Sequence, residues 1–190
     1  MKVAAAAEHK NRALDLYLPF AVLAGLALLL VGCSSSNDTK VQTTVSKEQT
    51  YQANVKAFVD KFYNHRRDYN TGLVRIGAKV RSARTETEQR QALQEVVSHL
   101  EDAHRWFRQD RDDFALQLPP TKFREAHLLM NSALNDYVDA TMSFITYYSQ
   151  NLSLGTQDLY LATRASSLIK TANENLQRAA YMYGDLFGNK

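Results

Sequence analysis

The chain has 190 residues, with 23 lysines and arginines against 20 aspartates and glutamates, for a net charge of +3. So slight a balance does not point to nucleic acid or an acidic polymer as partner. Three prolines and seven glycines are too few for the turns of a β-rich domain, and a single cysteine excludes an internal disulfide.

In chain order, the first element is an export-like segment. Lys2, Lys10 and Arg12 precede an apolar run from Leu16 to Gly32, interrupted by Pro19 and ending in Leu30-Val31-Gly32-Cys33. At 17 residues the run sits at the lower limit for a membrane-spanning helix, and an uncleaved anchor is the alternative reading. The last four residues resemble the lipobox of bacterial lipoprotein signal peptides, and the one cysteine of the chain stands where lipidation needs it. The resemblance implies a diacylglyceryl group on the Cys33 sulfur, cleavage between Gly32 and Cys33, and often a further acyl chain such as palmitate on the new amine. Two or more chains hold a protein stably on a membrane, where one holds it only marginally. Residues 1–32 are then a signal peptide, and a mature chain of 158 residues starts at Cys33 with a net charge of about +2. The resemblance also implies an extracytoplasmic location. In a Gram-negative host, Ser34 lacks the acidic character of inner-membrane retention and favours the outer membrane. In a Gram-positive host the protein stays on the outer face of the cell membrane.

Residues 33–45 comprise the cysteine and a polar stretch, Ser34 to Val45, with no helical stripe. Its 12 residues reach at most ~40 Å fully extended, so the folded domain stays close to the lipid.

Residues 46–190 read as four helices. Ser46-Lys47-Glu48-Gln49 matches a capping box, followed by a seam of Tyr51, Val55, Phe58, Phe62, Tyr69, Leu73, Ile76 and Val80 that ends near Ser82. Thr85-Glu86-Thr87-Glu88 is a second capping box, and its helix carries Leu93, Val96, Leu100, Ala103, Phe107, Phe114 and Leu118 up to Pro119-Pro120. A third helix begins at Pro120 or Thr121 and carries Phe123, His127, Met130, Leu134, Tyr137, Thr141, Phe144 and Tyr148. Asn151 to Gly155 reads as a loop. Thr156 is the expected cap of a fourth helix with Leu161, Ala165, Leu168, Ala172, Leu176, Ala179, Met182 and Leu186. Four one-sided helices with short connections predict an all-α, antiparallel up-down-up-down four-helix bundle, about 45 Å long at 1.5 Å per residue. Two hairpins that pair only in a dimer are the alternative. The stretch from Leu118-Pro119-Pro120 through the fourth helix resembles helical regions of other bacterial lipoproteins of no assigned function, and that resemblance implies no activity.

Signs of chemistry are few. Glu101-Asp102-Ala103-His104 supplies the Glu-x-x-His spacing of a di-iron bundle once, where two copies are needed. There is no Cys-x-x-Cys-His for haem and no Gly-x-Ser-x-Gly elbow for a serine hydrolase. No metal or cofactor is expected, and no enzyme. Matching helix levels across the turns predicts a polar layer of Asp110, Arg111, His127 and Tyr181, with His65 near Asp102. The plainer reading of that layer is register-fixing buried polarity; the sharper one is a small-molecule or metal site of a sensor bundle. Arg75, Lys79, Arg81 and Arg84 cluster at the tip away from the tether. They complement a helix C-terminus, or they meet an anionic surface polymer. Trp106 among Arg105, Arg108 and Arg111 reads as a half-buried ring under arginine stems rather than a nucleic-acid platform. The expected function is a tethered, non-enzymatic helical module that binds or supports an envelope component, held by acylated Cys33 to membrane lipid.

Overall fold

The computed structural model describes residues 46–187, and Gly32 and Cys33 lie outside them. Ser46–Lys190 forms one compact unit. It contains α1 (Lys47–Ser82), α2 (Glu86–Ala115), a 3-10 turn (Thr121–Phe123), α3 (Arg124–Leu154) and α4 (Leu159–Leu186), with no strand among the described residues. The architecture is the all-α four-helix bundle. None of the described helices is long and apolar enough to cross a membrane.

Local chemistry sets the helix starts. Ser46 Oγ accepts from the Gln49 N–H at 3.1 Å, and Gln49 Oε1 accepts from the Ser46 N–H at 3.0 Å. Thr85 and Glu88 repeat the exchange at α2, and Glu88 Oε2 also accepts from the Arg84 N–H at 2.7 Å. These backbone donors favour the carboxylate and lower the Glu88 pKa. Each box satisfies N–H groups that a helix start otherwise leaves bare.

Three boundaries depart from the sequence reading. Residues Asn151 to Leu154 are the last turn of α3, not a loop: Gly155 takes a left-handed φ of 64° and donates its N–H to the Asn151 carbonyl at 3.1 Å, which closes the helix. Asp158, not Thr156, caps α4, accepting from the Tyr160 N–H at 3.0 Å. The second helix stops at Ala115, and Leu118 is 89% exposed rather than part of the seam. The residue before a proline is steered out of the helical region, so the chain leaves the helix before Pro119-Pro120.

Packing is uneven around the bundle, and residue size explains it. The most extensive backbone contact is between α3 and α4. Both carry fully buried alanines every seven residues: Ala126, Ala133 and Ala140 on α3, and Ala165, Ala172 and Ala179 on α4. Methyl side chains let two helix backbones approach closely. On α1 and α2 several buried positions carry rings instead, among them Phe58, Phe62, Phe107 and Phe114. Phe62, Phe107 and Tyr137 meet with centroids 5.9, 5.7 and 4.8 Å apart, and Phe58 lies 4.6 Å from Phe114. Edge and tilted contacts of this kind add to the burial of the rings themselves. Across the remaining side, α1 reaches α4 through long side chains, as in the 2.7 Å bond from Arg66 to Asn173 Oδ1.

One glycine is required by close approach. The His99 ring lies against α1 at Gly72, donating Nε2–H to the Tyr69 carbonyl at 2.9 Å and stacking on the Tyr69 ring. A methyl group at Gly72 would meet the imidazole at 2.1 Å. Gly72→Ala is therefore expected to destabilise the domain by about 1–3 kcal/mol in urea titration, as overpacking does. The Gly72→Ala/His99→Ala double variant should cost less than the sum of the two single changes.

Candidate functional site

The four residues expected in one polar layer do not form one. Asp110 and His127 are buried, but they sit in two separate networks. Arg111 is partly exposed and bonds its neighbour Asp112 at 2.7 Å. Tyr181 is 65% exposed and approaches only Gln177, at 3.4 Å. The ring that enters the core is Tyr183, two residues on, which lies on the opposite side of the helix.

The first network joins three helices. Tyr51 of α1 lies 2.9 Å from His127 Nδ1 of α3 and 2.9 Å from the Tyr183 hydroxyl of α4. Phe114 of α2 stacks on the His127 ring at 4.4 Å. Burial disfavours the imidazolium and lowers the His127 pKa. With Nδ1 unprotonated, the neutral ring accepts a hydrogen bond from the Tyr51 hydroxyl, whose oxygen in turn accepts one from Tyr183. Burial likewise raises the pKa of Tyr51, with the Tyr183 bond partly opposing, and it raises that of Tyr183 further, where the bond to Tyr51 adds to it. All three groups are thus held neutral, which suits a chain of hydrogen bonds and not proton exchange near neutral pH.

The second network centres on the Asp110 carboxylate, which is fully buried. Oδ2 accepts from His65 Nδ1 at 2.6 Å. Oδ1 has no well-directed hydrogen bond, but the Lys61 ammonium lies 3.2 Å away and balances its charge. Lys61 also bonds Asp113 at 2.8 Å. Burial works against the ammonium, yet the bonds and charges of Asp113 and Asp110 outweigh it and raise the Lys61 pKa. Asp110 is thus the partner of His65, in place of the expected Asp102, which pairs with Arg105. Trp106 is half-buried as expected, but its neighbours are imidazoles, His65 at 5.6 Å and His99 at 6.3 Å.

A third network was not foreseen from the sequence. Arg66 donates to Asn173 Oδ1, which also accepts from the buried Tyr137 hydroxyl at 2.7 Å. The guanidinium stands 5.6 Å from the Tyr137 ring centre and 6.0 Å from that of Phe62. His104, the histidine of the single Glu-x-x-His, turns to the Val138 carbonyl and Thr141 hydroxyl at 3.2 and 3.1 Å. Among the described residues, no three or more His, Cys, Asp or Glu side chains are placed to hold a metal ion.

One open cleft of about 420 Å³ lies where the 3-10 turn meets the end of α4, lined by Lys122, Arg124, Glu125, Met182 and Leu186 among others. At the opposite tip, Lys79 is tied to Glu95 at 2.6 Å, while Arg75, Arg81 and Arg84 are exposed. No family model matches the chain, and neither a curated protein nor a solved structure does.

Two outcomes follow. Since the unfolded His127 titrates near its ordinary value of 6.5 and the folded ring below it, the unfolded chain binds the extra proton first. Stability is then highest above about pH 6.5 and declines as the pH falls toward the depressed folded pKa. His127→Gln, which keeps an acceptor for Tyr51, should flatten that slope in urea midpoints measured between about pH 4.5 and 7.5. Tyr183→Phe should cost about 1 kcal/mol by breaking the hydroxyl chain. Tyr181→Phe should stay within about 0.5 kcal/mol of the parent, as surface changes do.

Proposed function

We propose that the protein is a lipoprotein of the bacterial cell envelope, tethered by acylated Cys33 to the extracytoplasmic side of a membrane, and that it serves as a non-enzymatic binding or structural module. The observation that carries this reading is Leu30-Val31-Gly32-Cys33 at the end of the long apolar run, with the only cysteine of the chain at the lipidation position. The bundle is compatible with it. Its buried polar groups are tied mainly to one another in three networks, an arrangement that fixes helix register and gives a stiff body. The alternative, a small-molecule or metal-binding sensor bundle, would use Asp110, Arg111, His127 and Tyr181 with nearby tyrosines, and the separation of those four residues favours the binding or structural reading. The binding surfaces left are the two tips and the outer helix faces.

The test is processing. Mass spectrometry of protein from the membrane fraction should show a chain that begins at Cys33 and bears a diacylglyceryl thioether. Cys33→Ser should remain uncleaved with residues 1–32 attached. Recovery of the parent protein from the cytosol with a free thiol at position 33 would sink the reading.

A further inference from the structure

The end of the bundle where the described chain begins carries two leucines that nothing in the fold covers. Leu116 is 82% exposed and Leu118 is 89% exposed, in the connection between α2 and the 3-10 turn. That this is the Ser46 end follows from contacts: Glu48 pairs with Lys122 at 2.5 Å, and the Tyr51 and Phe123 rings lie 5.2 Å apart. Pro119 and Pro120 follow, and neither has an N–H to desolvate. Apolar side chains beside prolines can enter the interfacial layer of a lipid surface without desolvating an N–H at the prolines.

We propose that the Leu116–Pro120 loop inserts into the surface of the membrane that holds the acyl chains of Cys33, so that the bundle stands on this end. The inference rests on the lipoprotein reading given above. The occupant is a lipid surface because of where the chain outside the structure ends. The 12 residues from Ser34 to Val45 reach at most ~40 Å and join the domain at Ser46, beside this loop. The other exposed apolar cluster, Leu154, Leu159 and Tyr160, belongs to the far tip, about 54 Å away along the 36 residues of α1. The tether thus keeps the first cluster at a higher local concentration near lipid than the second. The adjoining cleft is lined by Lys122 and Arg124 together with Glu125, Asp185, Met182 and Leu186. Lys47, Lys122 and Arg124 are balanced at this end by Glu48, Glu125 and Asp185, so insertion depends on the leucines and varies little with salt or lipid charge.

The test uses the mature acylated protein, beginning at Cys33, in phosphatidylcholine vesicles, with a nitroxide on Leu118→Cys or, separately, on Leu154→Cys. Both positions are exposed, so folding tolerates the label. The label at 118 should meet oxygen several-fold more often, relative to a water-soluble nickel complex, than the label at 154. Leu116→Cys should repeat the result at 118. Equal exposure to water at 118 and 154 on protein with acylated Cys33 overturns the insertion and leaves the tether standing. Spin–spin broadening between labels at 118 assigns the patch to a second copy of the chain and overturns the lipid assignment. Unacylated Cys33 in the purified protein overturns the tether and the insertion together.

Discussion

Close approach of α3 and α4 is the constraint from which the rest of the bundle follows. With a buried alanine at every seventh residue on both helices, that pair leaves little room for side chains between its backbones. α1 and α2 add Tyr51, Phe58, Phe62, Tyr69, Phe107 and Phe114 to a core that α3 and α4 also fill with Met130, Leu134, Tyr137, Phe144, Leu176 and Tyr183. The rings meet Phe123, His127, Tyr137 and Tyr183 in a column along the bundle. Rings from all four helices, with methyl groups along the seam between α3 and α4, fill the space between the helices.

This packing also explains the polar networks. Rings that span from α1 to α4 bring hydroxyl, imidazole and guanidinium groups with them, and each needs a partner once buried. Tyr51, His127 and Tyr183 satisfy one another near the Ser46 end. Arg66, Tyr137 and Asn173 do so further along, and Lys61, His65 and Asp110 join α1 to α2. Each network crosses between helices, so a slip of one helix breaks several bonds at once. That fixes the register of the helices.

Much of the bundle was legible from local pattern. The capping boxes at Ser46 and Thr85 gave two helix starts, and the seam of α1 from Tyr51 to Tyr69 is buried as its spacing implies. What could not be read depended on small rotations. Met182 and Tyr183 are adjacent apolar-bodied residues, and spacing from Ala179 admits either at the core. Tyr183 repeats Leu176 at seven residues, a signal that was present but that the three-and-four seam through Met182 bypassed. The partner of His65 was misplaced by two turns, from Asp102 to Asp110, because a fold about the turn at residue 83 ignores the offset between neighbouring helices.

The sequence by itself determined four amphipathic helices, their order and their antiparallel connection, because periodicity, caps and breakers act within a few residues. It also contained the Leu30-Val31-Gly32-Cys33 motif, which is a matter of local chemistry. Only the tertiary structure decided which polar groups meet, that α3 and α4 pack more closely than the other pairs, and that Leu116 and Leu118 stand bare beside the start of α1. Those outcomes depend on axial offset and helix rotation, which are set by how alanines and aromatic rings share one core and cannot be summed from neighbours along the chain.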